Sequence, residues 1–272
     1  MPLDGSEAAR RQMFSVVGHR GFMARYPENS LESFAQAEAA HVAEIELDVR
    51  RSSDGHLVVI HDPTLERTSR DSGPGRPRVV ARMSLAELRE IPLESGLPVP
   101  TLQEVCEATT TTLQVEVKEP SCVGALARFM SEFPAVAKRV QFMSFDLATL
   151  VSLKSSIPKV PRGLNVSGGE QVADVLARLD RIDAARVGCH WDSLTPELVE
   201  AVHASGREVH VWPLRTSAEV ARAVAWRVDG GTTDDPGAVK AWLAELPRVV
   251  DVSQRKQVSR VRDVARAGHD ER

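Results

Sequence analysis

Short apolar runs alternate with amphipathic stretches along the chain from about residue 14 to residue 246. Runs such as Phe14–Gly18 and Val140–Phe145 are short and apolar, which is typical of buried strands. The stretch that begins at Asn29 or Ser30 and continues to about His41 has apolar residues at helical spacing, and its first residue is of a type that caps helices. Repetition of strand and helix in this order predicts a parallel sheet with helices on its outside.

The number of predicted strands is one more than a (β/α)₈ barrel requires. The region has the size of such a barrel, about 250 residues, yet it contains nine apolar segments of strand character. Leu57–His61 can fold back on Glu44–Val49 through an Asp-Gly turn at residues 54 and 55, in a register that places Asp48 opposite His61. A parallel strand reached by a short crossover is the alternative, and the sequence leaves both open. The predicted fold class is α/β, a (β/α)₈ TIM barrel.

Three parts of the chain fall outside the strand–helix pattern. Residues 62–100 hold six prolines and three glycines around one short helical stretch, Ser84–Glu90, and are predicted to form a small insertion. Residues 1–13 are interpreted as a polar N-terminal extension and residues 247–272 as a charged tail, so the barrel is assigned to residues 14–246. The tail is expected to be a frayed helix or a segment without fixed structure, and a helix packed on the barrel is the alternative.

Composition and charge exclude several classes of protein. The chain has 34 basic and 38 acidic residues, a net charge of −4, and no basic stripe of the kind that binds nucleic acid. No apolar run approaches the length of about 18 residues that spans a membrane, and the N-terminus lacks the apolar core of a secretory signal. Cys106, Cys122 and Cys189 form neither a disulfide framework nor a CxxC pair for zinc. We therefore expect a cytoplasmic protein without a nucleic-acid partner or transmembrane segment.

Acidic residues near the ends of predicted strands suggest a metal site. In a TIM barrel the polar residues at the carboxyl ends of the strands form the active site. Glu46 and Asp48 are two residues apart in one strand and share a face, and Glu116 comes from another strand. Three carboxylates inside a barrel are unfavourable without a partner. Oxygen ligands suit Mg²⁺, Ca²⁺ or Mn²⁺ better than Zn²⁺. The alternative is that the acids pair with neighbouring basic side chains or face solvent.

Other strand-end residues carry acid–base and anion-binding chemistry. His19 and His61 both follow predicted strands, and two imidazoles can act as general base and general acid near neutral pH. The planar guanidinium of Arg20 suits phosphate oxygens, and Lys118 adds a second positive charge beside it. Trp212 is a candidate wall of a small substrate pocket, and a place in the barrel core is equally compatible with its position.

The remaining candidates are assigned structural roles. His190 follows a strand but stays outside the predicted catalytic set, and the other five histidines are interpreted as structural. The segment Asp229–Pro236 is interpreted as the closure of the barrel, because it ends a strand, caps a helix and places a proline in the first helical turn. The absence of GxGxxG and GxxxxGK[ST] sequences gives no support to a nucleotide-binding fold.

A series of short motifs occurs in a fixed order over nearly the whole predicted barrel. They are His19–Gly21, Pro27–Ser30, Glu46–Val49, Asp54–Gly55, Val58–Asp62, Arg67–Thr68, Pro100–Leu102, Glu116–Lys118, Ser144–Asp146, Val211–Trp212 and Thr233–Pro236. In this order the motifs resemble those of the glycerophosphodiester phosphodiesterase family. The resemblance implies a (β/α)₈ barrel that hydrolyses glycerophosphodiesters to glycerol 3-phosphate and an alcohol such as choline, ethanolamine or glycerol.

The resemblance also implies roles for individual residues. By the positions that match the family motifs, a divalent metal is held by Glu46, Asp48 and Glu116. The matching histidines, His19 and His61, are implied to be the acid–base pair. Arg20 is implied to bind phosphate, Lys118 to lie in the same site, and the insertion at residues 62–100 to cover part of the pocket.

The sequence departs from the family pattern at two places. Ser30 stands where threonine is usual, which is a mild change. Pro213 and Arg215 follow Trp212 where small polar residues are more common. The resemblance implies that these positions lie toward the alcohol part of the substrate, so Arg215 leads to the hypothesis that the alcohol carries a second anionic group.

The strand-end residues together with this resemblance predict a metal-dependent phosphodiester hydrolase that acts on a small glycerophosphodiester by histidine acid–base catalysis. A lysophospholipase D or sphingomyelinase D-like activity is the nearest alternative, although the chain shows no obvious amphipathic helix for membrane binding. A barrel that binds a phosphate ligand without catalysis, and a sugar isomerase barrel, are the more distant alternatives. The sequence does not indicate an oligomeric state.

Overall fold

Eight parallel strands close into a barrel in the computed structural model, which describes residues 14–70 and 77–246. The strands are β1 Ser15–Gly18, β2 Glu44–Arg51, β3 Leu57–Val59, β4 Thr112–Val117, β5 Val140–Ser144, β6 Arg162–Val166, β7 Arg186–His190, β8 Glu208–Trp212 and β9 Gly230–Thr233. Around the barrel they run in the order β1, β9, β8, β7, β6, β5, β4, β2, and pairing of β1 with β2 closes the ring. This arrangement confirms the predicted TIM barrel.

The additional strand, β3, lies outside the eight-stranded ring and pairs antiparallel with β2. The predicted fold-back of this strand is therefore confirmed, and the crossover alternative is wrong. The predicted register is wrong by one residue. The prediction placed His61 opposite Asp48, whereas the backbone amide of Ile60 donates to the carbonyl of Asp48 (3.0 Å). The reason is the loop. The backbone amide of Ser52 donates to the carbonyl of His56 (2.9 Å), so the two strands are joined by a three-residue loop and not by a two-residue turn. Gly55 in this loop has a φ of +96°. His61 consequently lies beyond the end of β3.

The described residues form nine helices, of which eight surround the barrel and one belongs to the insertion. Side-chain caps start most of them. For example, the Ser30 hydroxyl accepts from the Ser33 amide (3.1 Å), and the Asp235 carboxylate accepts from the Ala238 amide (2.9 Å). The helices are α1 Leu31–Ala39, α2 Leu85–Arg89, α3 Leu102–Ala108, α4 Val123–Glu132, α5 Leu147–Ser156, α6 Val172–Ile182, α7 Pro196–Ala204, α8 Ser217–Ala225 and α9 Pro236–Glu245.

Alternation along the strands separates an apolar outer layer from a polar barrel interior. On β4, Leu113, Val115 and Val117 are fully buried in the core shared with the helices, whereas Gln114 and Glu116 face the other side. β2 follows the same rule and places three acids inside the barrel. The lowest of these, Glu44, is neutralised by the buried Arg186 at 2.7 and 2.9 Å, and Arg186 also bonds Glu208. Charge at the floor of the barrel is therefore paired within the protein.

The predicted insertion packs on β3 with a small core of its own. Seven buried apolar residues form this second cluster, separate from the main core: Val58, Ile60, Leu65, Val80, Leu88, Leu93 and Val99. Its helix α2 matches the predicted helical stretch and begins with a capping box between Ser84 and Glu87.

Some predictions cannot be compared with the structure. The predicted extension (1–13) and tail (247–272), like residues 71–76 of the insertion, lie outside the described residues. Within the described part of the chain, every helix is too short or too polar to cross a bilayer.

Candidate active site

Three carboxylates meet at the carboxyl ends of β2 and β4. These strands are neighbours, and their register sets Asp48 directly opposite Glu116 while Glu46 lies two residues earlier on the same face. One oxygen of each carboxylate lies within 4.8 Å of the others, and Glu46 and Asp48 are only 6% and 1% exposed. Three converging carboxylate oxygens are a donor set that fits a hard divalent cation.

The electrostatics of the three acids differ. Burial and the charge of Asp48 raise the pKa of Glu46 to about 7. Burial also raises the pKa of Glu116, with Lys118 acting against it. Burial acts in the same sense on Asp48, but Lys118 and Arg20 outweigh it and hold the pKa of this carboxyl well below its usual range. Near neutral pH a proton therefore occupies part of the cluster, and a cation that binds there must displace it.

Two basic side chains contact the acids. Lys118 Nζ lies 2.8 Å from Asp48 Oδ1 and 2.5 Å from Glu116 Oε1. The backbone amide of Arg20 donates to Glu46 Oε2 (2.9 Å), and Arg20 Nε lies 3.2 Å from Asp48 Oδ2 without hydrogen-bond geometry. These are the basic partners that the alternative interpretation required. When all five groups are ionised, three negative charges face two positive ones, so the cluster keeps an excess negative charge for a cation.

Each of the two predicted histidines is bonded at Nδ1 to an aspartate. His19 Nδ1 lies 2.6 Å from Asp234 Oδ1, and His61 Nδ1 lies 2.6 Å from Asp62 Oδ1. This pattern leaves Nε2 of each ring available for proton transfer. His19 Nε2 is 4.0 Å from Glu46 Oε2, which places this ring beside the carboxylate cluster.

The same effects shift the two imidazoles in opposite directions. Burial lowers the pKa of His61 below its ordinary value. Burial acts in the same sense on His19, but the bond to Asp234 and the charge of Glu46 outweigh it, so the pKa of His19 is raised. The two rings therefore differ in proton affinity while they share one type of partner.

Asp234 is a site residue that the sequence analysis missed. It lies just past β9 in the segment interpreted as barrel closure, and β9 does close the barrel through β1 and β8. The side chain of Asp234 nevertheless contacts His19, which is 215 positions away in the sequence. Its place after the end of β9 is typical of a site residue in a TIM barrel, but no local pattern indicates that His19 is its partner.

A cavity of about 290 Å³ at the barrel mouth joins these groups. Seven of the eight predicted site residues line it, and Asp48 lies buried behind them. Trp212 is in the cavity wall, edge-on to Phe145 (5.5 Å between ring centroids) and to His190 (4.8 Å). The predicted residues that line the cavity are His19, Arg20, Glu46, His61, Glu116, Lys118 and Trp212.

The far side of this cavity contains four further residues, and only one of them, Arg215, was predicted from sequence to lie near the substrate. They come from the ends of β5, β6 and β7 and from the loop after β8. Arg215 was predicted to lie toward the alcohol part of the substrate, His190 was left outside the catalytic set, and Phe145 and Asn165 were given no role in the site. These lining residues are Phe145, Asn165, His190 and Arg215.

Comparison with known proteins points to one family. Residues 19–238 match the model of the "Glycerophosphoryl diester phosphodiesterase family". The chain is 29% identical over 238 residues to a glycerophosphodiester phosphodiesterase of Caldanaerobacter subterraneus subsp. tengcongensis, with 81% of this chain and 94% of that protein covered. It is 30% identical to the "Probable glycerophosphodiester phosphodiesterase 1" of Mycobacterium tuberculosis, with coverages of 85% and 92%.

Solved structures show the same architecture. A glycerophosphodiester phosphodiesterase from Thermotoga maritima superposes with a TM-score of 0.71 at 27% identity and covers 85% of this chain and 97% of its own. An Oleispira antarctica phosphodiesterase, solved in complex with the product sn-glycerol-3-phosphate, superposes with a TM-score of 0.76 at 24% identity, with coverages of 89% and 100%.

Proposed function

The chain belongs to the glycerophosphoryl diester phosphodiesterase family, and from this premise we propose that it hydrolyses a glycerophosphodiester to glycerol 3-phosphate and an alcohol. The observation that carries the proposal is the convergence of a three-carboxylate cluster and two aspartate-bonded histidines on one cavity. Water adds to phosphorus and the bond from phosphorus to the alcohol oxygen breaks, so the phosphate stays on glycerol and the alcohol leaves with a proton.

The proposed cofactor is a divalent cation, Mg²⁺, Ca²⁺ or Mn²⁺, with Glu46, Asp48 and Glu116 as its protein ligands. When bound, such a cation offsets the carboxylate charge and polarises a phosphoryl oxygen. The donor set supports this proposal, because it consists of oxygens and carries more negative charge than its two basic neighbours balance.

Arg20 and Lys118 are the proposed phosphate-binding residues. Both line the cavity beside the carboxylates, and their side chains are 13% and 11% exposed, so their charges act in a place with little water. Fixed positive charges in such an environment stabilise the negative charge that the phosphoryl oxygens gain during displacement.

His19 and His61 are the proposed acid–base pair. The Nε2 of one ring removes a proton from the attacking nucleophile, and the Nε2 of the other gives a proton to the departing alcohol oxygen. The nucleophile is water, or a free glycerol hydroxyl that forms a cyclic phosphate, which water then opens to glycerol 3-phosphate. Asp234 and Asp62 bond the Nδ1 atoms at 2.6 Å each and hold the rings in one tautomer and orientation.

The alcohol part of the substrate is proposed to lie in the aromatic half of the cavity, against Phe145 and Trp212. Arg215 lines the same half, and its guanidinium makes no ion pair with a carboxylate among the described residues, although its charge acts on Asp234. An unpaired cation beside the leaving group favours an alcohol that carries its own anionic group, such as a carboxylate or phosphate.

The decisive experiment is an assay of the purified, chelator-treated protein with a panel of glycerophosphodiesters and with Mg²⁺, Ca²⁺ or Mn²⁺ added singly. We expect release of glycerol 3-phosphate from at least one diester with at least one cation. Lysophosphatidylcholine provides the lipid arm of the panel, and faster turnover of this lipid than of glycerophosphocholine would favour the lysophospholipase D-like alternative. Saturable binding of the diesters without release of product would favour a non-catalytic barrel.

A further inference from the structure

Arg67, a residue of the insertion, binds two carboxylates at once. Its Nη1 and Nη2 atoms lie 2.6 and 2.7 Å from the two oxygens of Glu28, a bidentate pair. Its Nε donates to Asp62 Oδ2 at 2.6 Å. The three donors belong to one rigid plane, so Arg67 fixes the two carboxylates relative to each other.

The first carboxylate leads to the proposed phosphate-binding residue. Glu28 Oε1 also accepts from Arg20 Nη1 at 2.9 Å, so Glu28 lies between two guanidinium groups. Glu28 is mostly buried, with 12% of its side chain exposed. Burial alone would raise the pKa of Glu28, but Arg67 and Arg20 outweigh it and keep the carboxylate ionised. Without Arg67, the Glu28 side chain would lose the partner that orients it toward Arg20.

The second carboxylate leads to one of the proposed catalytic histidines. Asp62 binds Arg67 through Oδ2 and His61 Nδ1 through Oδ1, at 2.6 Å each. The hydrogen bond from Arg67 is the main reason that the pKa of Asp62 is lowered to about 2. The carboxylate is therefore ionised, oriented by Arg67 and able to accept the Nδ1 proton of His61.

We propose that Arg67 is a positioning residue that sets the orientation of Arg20 and His61 together, so that the insertion aligns phosphate binding with proton transfer. This inference rests on the proposed function of the site. The simpler alternative is that Arg67 only fastens the insertion to the barrel. The two interpretations make different predictions for kinetics. Loss of a residue that only fastens the insertion would change stability but leave kcat and KM of the folded protein unchanged.

The experiment compares Arg67→Met with Arg89→Met. Arg89 is a matched control, since its side chain is 43% exposed against 46% for Arg67 and lies 2.7 Å from a glutamate, Glu104, outside the cavity. For Arg67→Met we expect kcat to fall and KM to rise, each by about 10-fold or more, because small displacements of reacting groups have effects of this size or larger. For Arg89→Met we expect wild-type kinetics, and for both variants melting temperatures within a few degrees of each other.

Two further variants test the contacts of Arg67 with Asp62 and with Glu28 separately. Asp62→Asn removes the link to His61 and is expected to lower kcat, whereas Glu28→Gln weakens the link to Arg20 and is expected to raise KM. Addition of Arg67→Met to Asp62→Asn should lower kcat little further while it still raises KM, since residues in one network are not additive. Arg67→Lys, which offers one point charge in place of a planar fork, should restore one of the two parameters at most.

Three results would overturn the inference. Unchanged kcat and KM in a correctly folded Arg67→Met protein would leave Arg67 as a fastener only. Additive losses in the double variant would show that Arg67 and Asp62 act separately. A wild-type protein that releases no glycerol 3-phosphate would reject the proposed function itself, and this inference with it.

Discussion

The two halves of the cavity differ in chemistry although one barrel mouth forms both. The half that follows β1 to β4 is charged and internally bonded. The half at the ends of β5 to β8 is aromatic, with Phe145 and Trp212 edge-on at 5.5 Å. In the first half every predicted charged residue has a partner within 4.0 Å. In the second half the buried indole N–H of Trp212 has no hydrogen-bond partner among the described residues.

This difference indicates a division of work. A preorganised network of charges suits the part of a substrate that is always the same, the phosphodiester, because its donors are already aligned. A wall of rings with few fixed polar contacts suits a part that varies between substrates, because apolar contact discriminates weakly. Changes in the charged half should therefore impair every substrate, and changes in the aromatic half should impair only some.

Removal of divalent cations should have the largest effect. Excess chelator is expected to lower kcat/KM by about 10³-fold or more for all diesters, because the charge stabilisation that a metal supplies amounts to several kcal/mol. Activity should return when Mg²⁺, Ca²⁺ or Mn²⁺ is added in excess. Full turnover in chelator would contradict the proposed metal site and leave the carboxylates with only their basic partners.

The same site should show a pH-dependent stabilisation by metal. In the cation-free protein the pKa of Glu46 is about 7, above its ordinary value of 4.5, so stability is lost as pH rises between these values. A cation replaces the proton, so the rise in melting temperature with Mg²⁺ should be greater at pH 8 than at pH 6. Glu46→Gln, which stays neutral, should reduce this difference, and Glu116, whose pKa is also raised, accounts for what remains. Equal shifts at both pH values in the wild type would argue against cation binding at Glu46.

Much of the charged half could be predicted from sequence because its residues lie in contiguous strand-end motifs. The spacing of Glu46 and Asp48 determines their shared face, and the parallel pairing of β2 with β4 then brings Glu116 opposite Asp48. The predicted register of β3 was wrong because a two-residue turn and a three-residue loop can have the same Asp-Gly sequence. The geometry that decides between them is the bond from Ser52 to His56, which sequence does not show.

The rest of the site depends on contacts that no local pattern records. Asp234 joins His19 only because β9 closes the barrel against β1. Phe145 and Asn165 lie at strand ends, but an aromatic ring or an amide there is equally typical of a packed barrel. Closure of the ring and the tilt of the strands bring these residues to one cavity.

Replacement of either histidine should have the next largest effect. His19→Ala and His61→Ala are each expected to lower kcat by about 10²- to 10⁴-fold for every diester, because each removes a general acid or base. His56→Ala is a suitable control, since that side chain is 55% exposed and lies outside the cavity. Circular dichroism should show the native fold in all three proteins. Near-wild-type turnover by His19→Ala or His61→Ala would reject the acid–base pair.

Loss of the aspartate behind His19 should have a smaller effect of the same kind. Asp234→Asn keeps the shape of the side chain but removes the charge that orients the ring, and we expect kcat to fall by about 10²-fold for all substrates. The effect should be below that of His19→Ala, because 34% of the Asp234 side chain is exposed and water can replace part of the interaction. Asp235→Asn is the matched control, because asparagine also caps the helix that begins at Pro236. Equal activity of the two asparagine variants would show that Asp234 only closes the barrel.

Arg215→Ala should have the smallest and the most selective effect, and it tests the aromatic half directly. An exposed ion pair is worth up to about 1 kcal/mol, so kcat/KM for a diester with an anionic alcohol should fall about 5-fold. Glycerophosphocholine should be turned over as well as before or slightly better, because a positive charge near its cationic alcohol has been removed.

Arg25→Ala controls for the loss of net charge, since Arg25 is 63% exposed and does not line the cavity. Added salt should reduce the selectivity of the wild type but not that of Arg215→Ala. If the wild type and Arg215→Ala show the same preference between anionic and neutral diesters at low salt, Arg215 does not select the leaving group, and discrimination must come from the rings of Phe145 and Trp212.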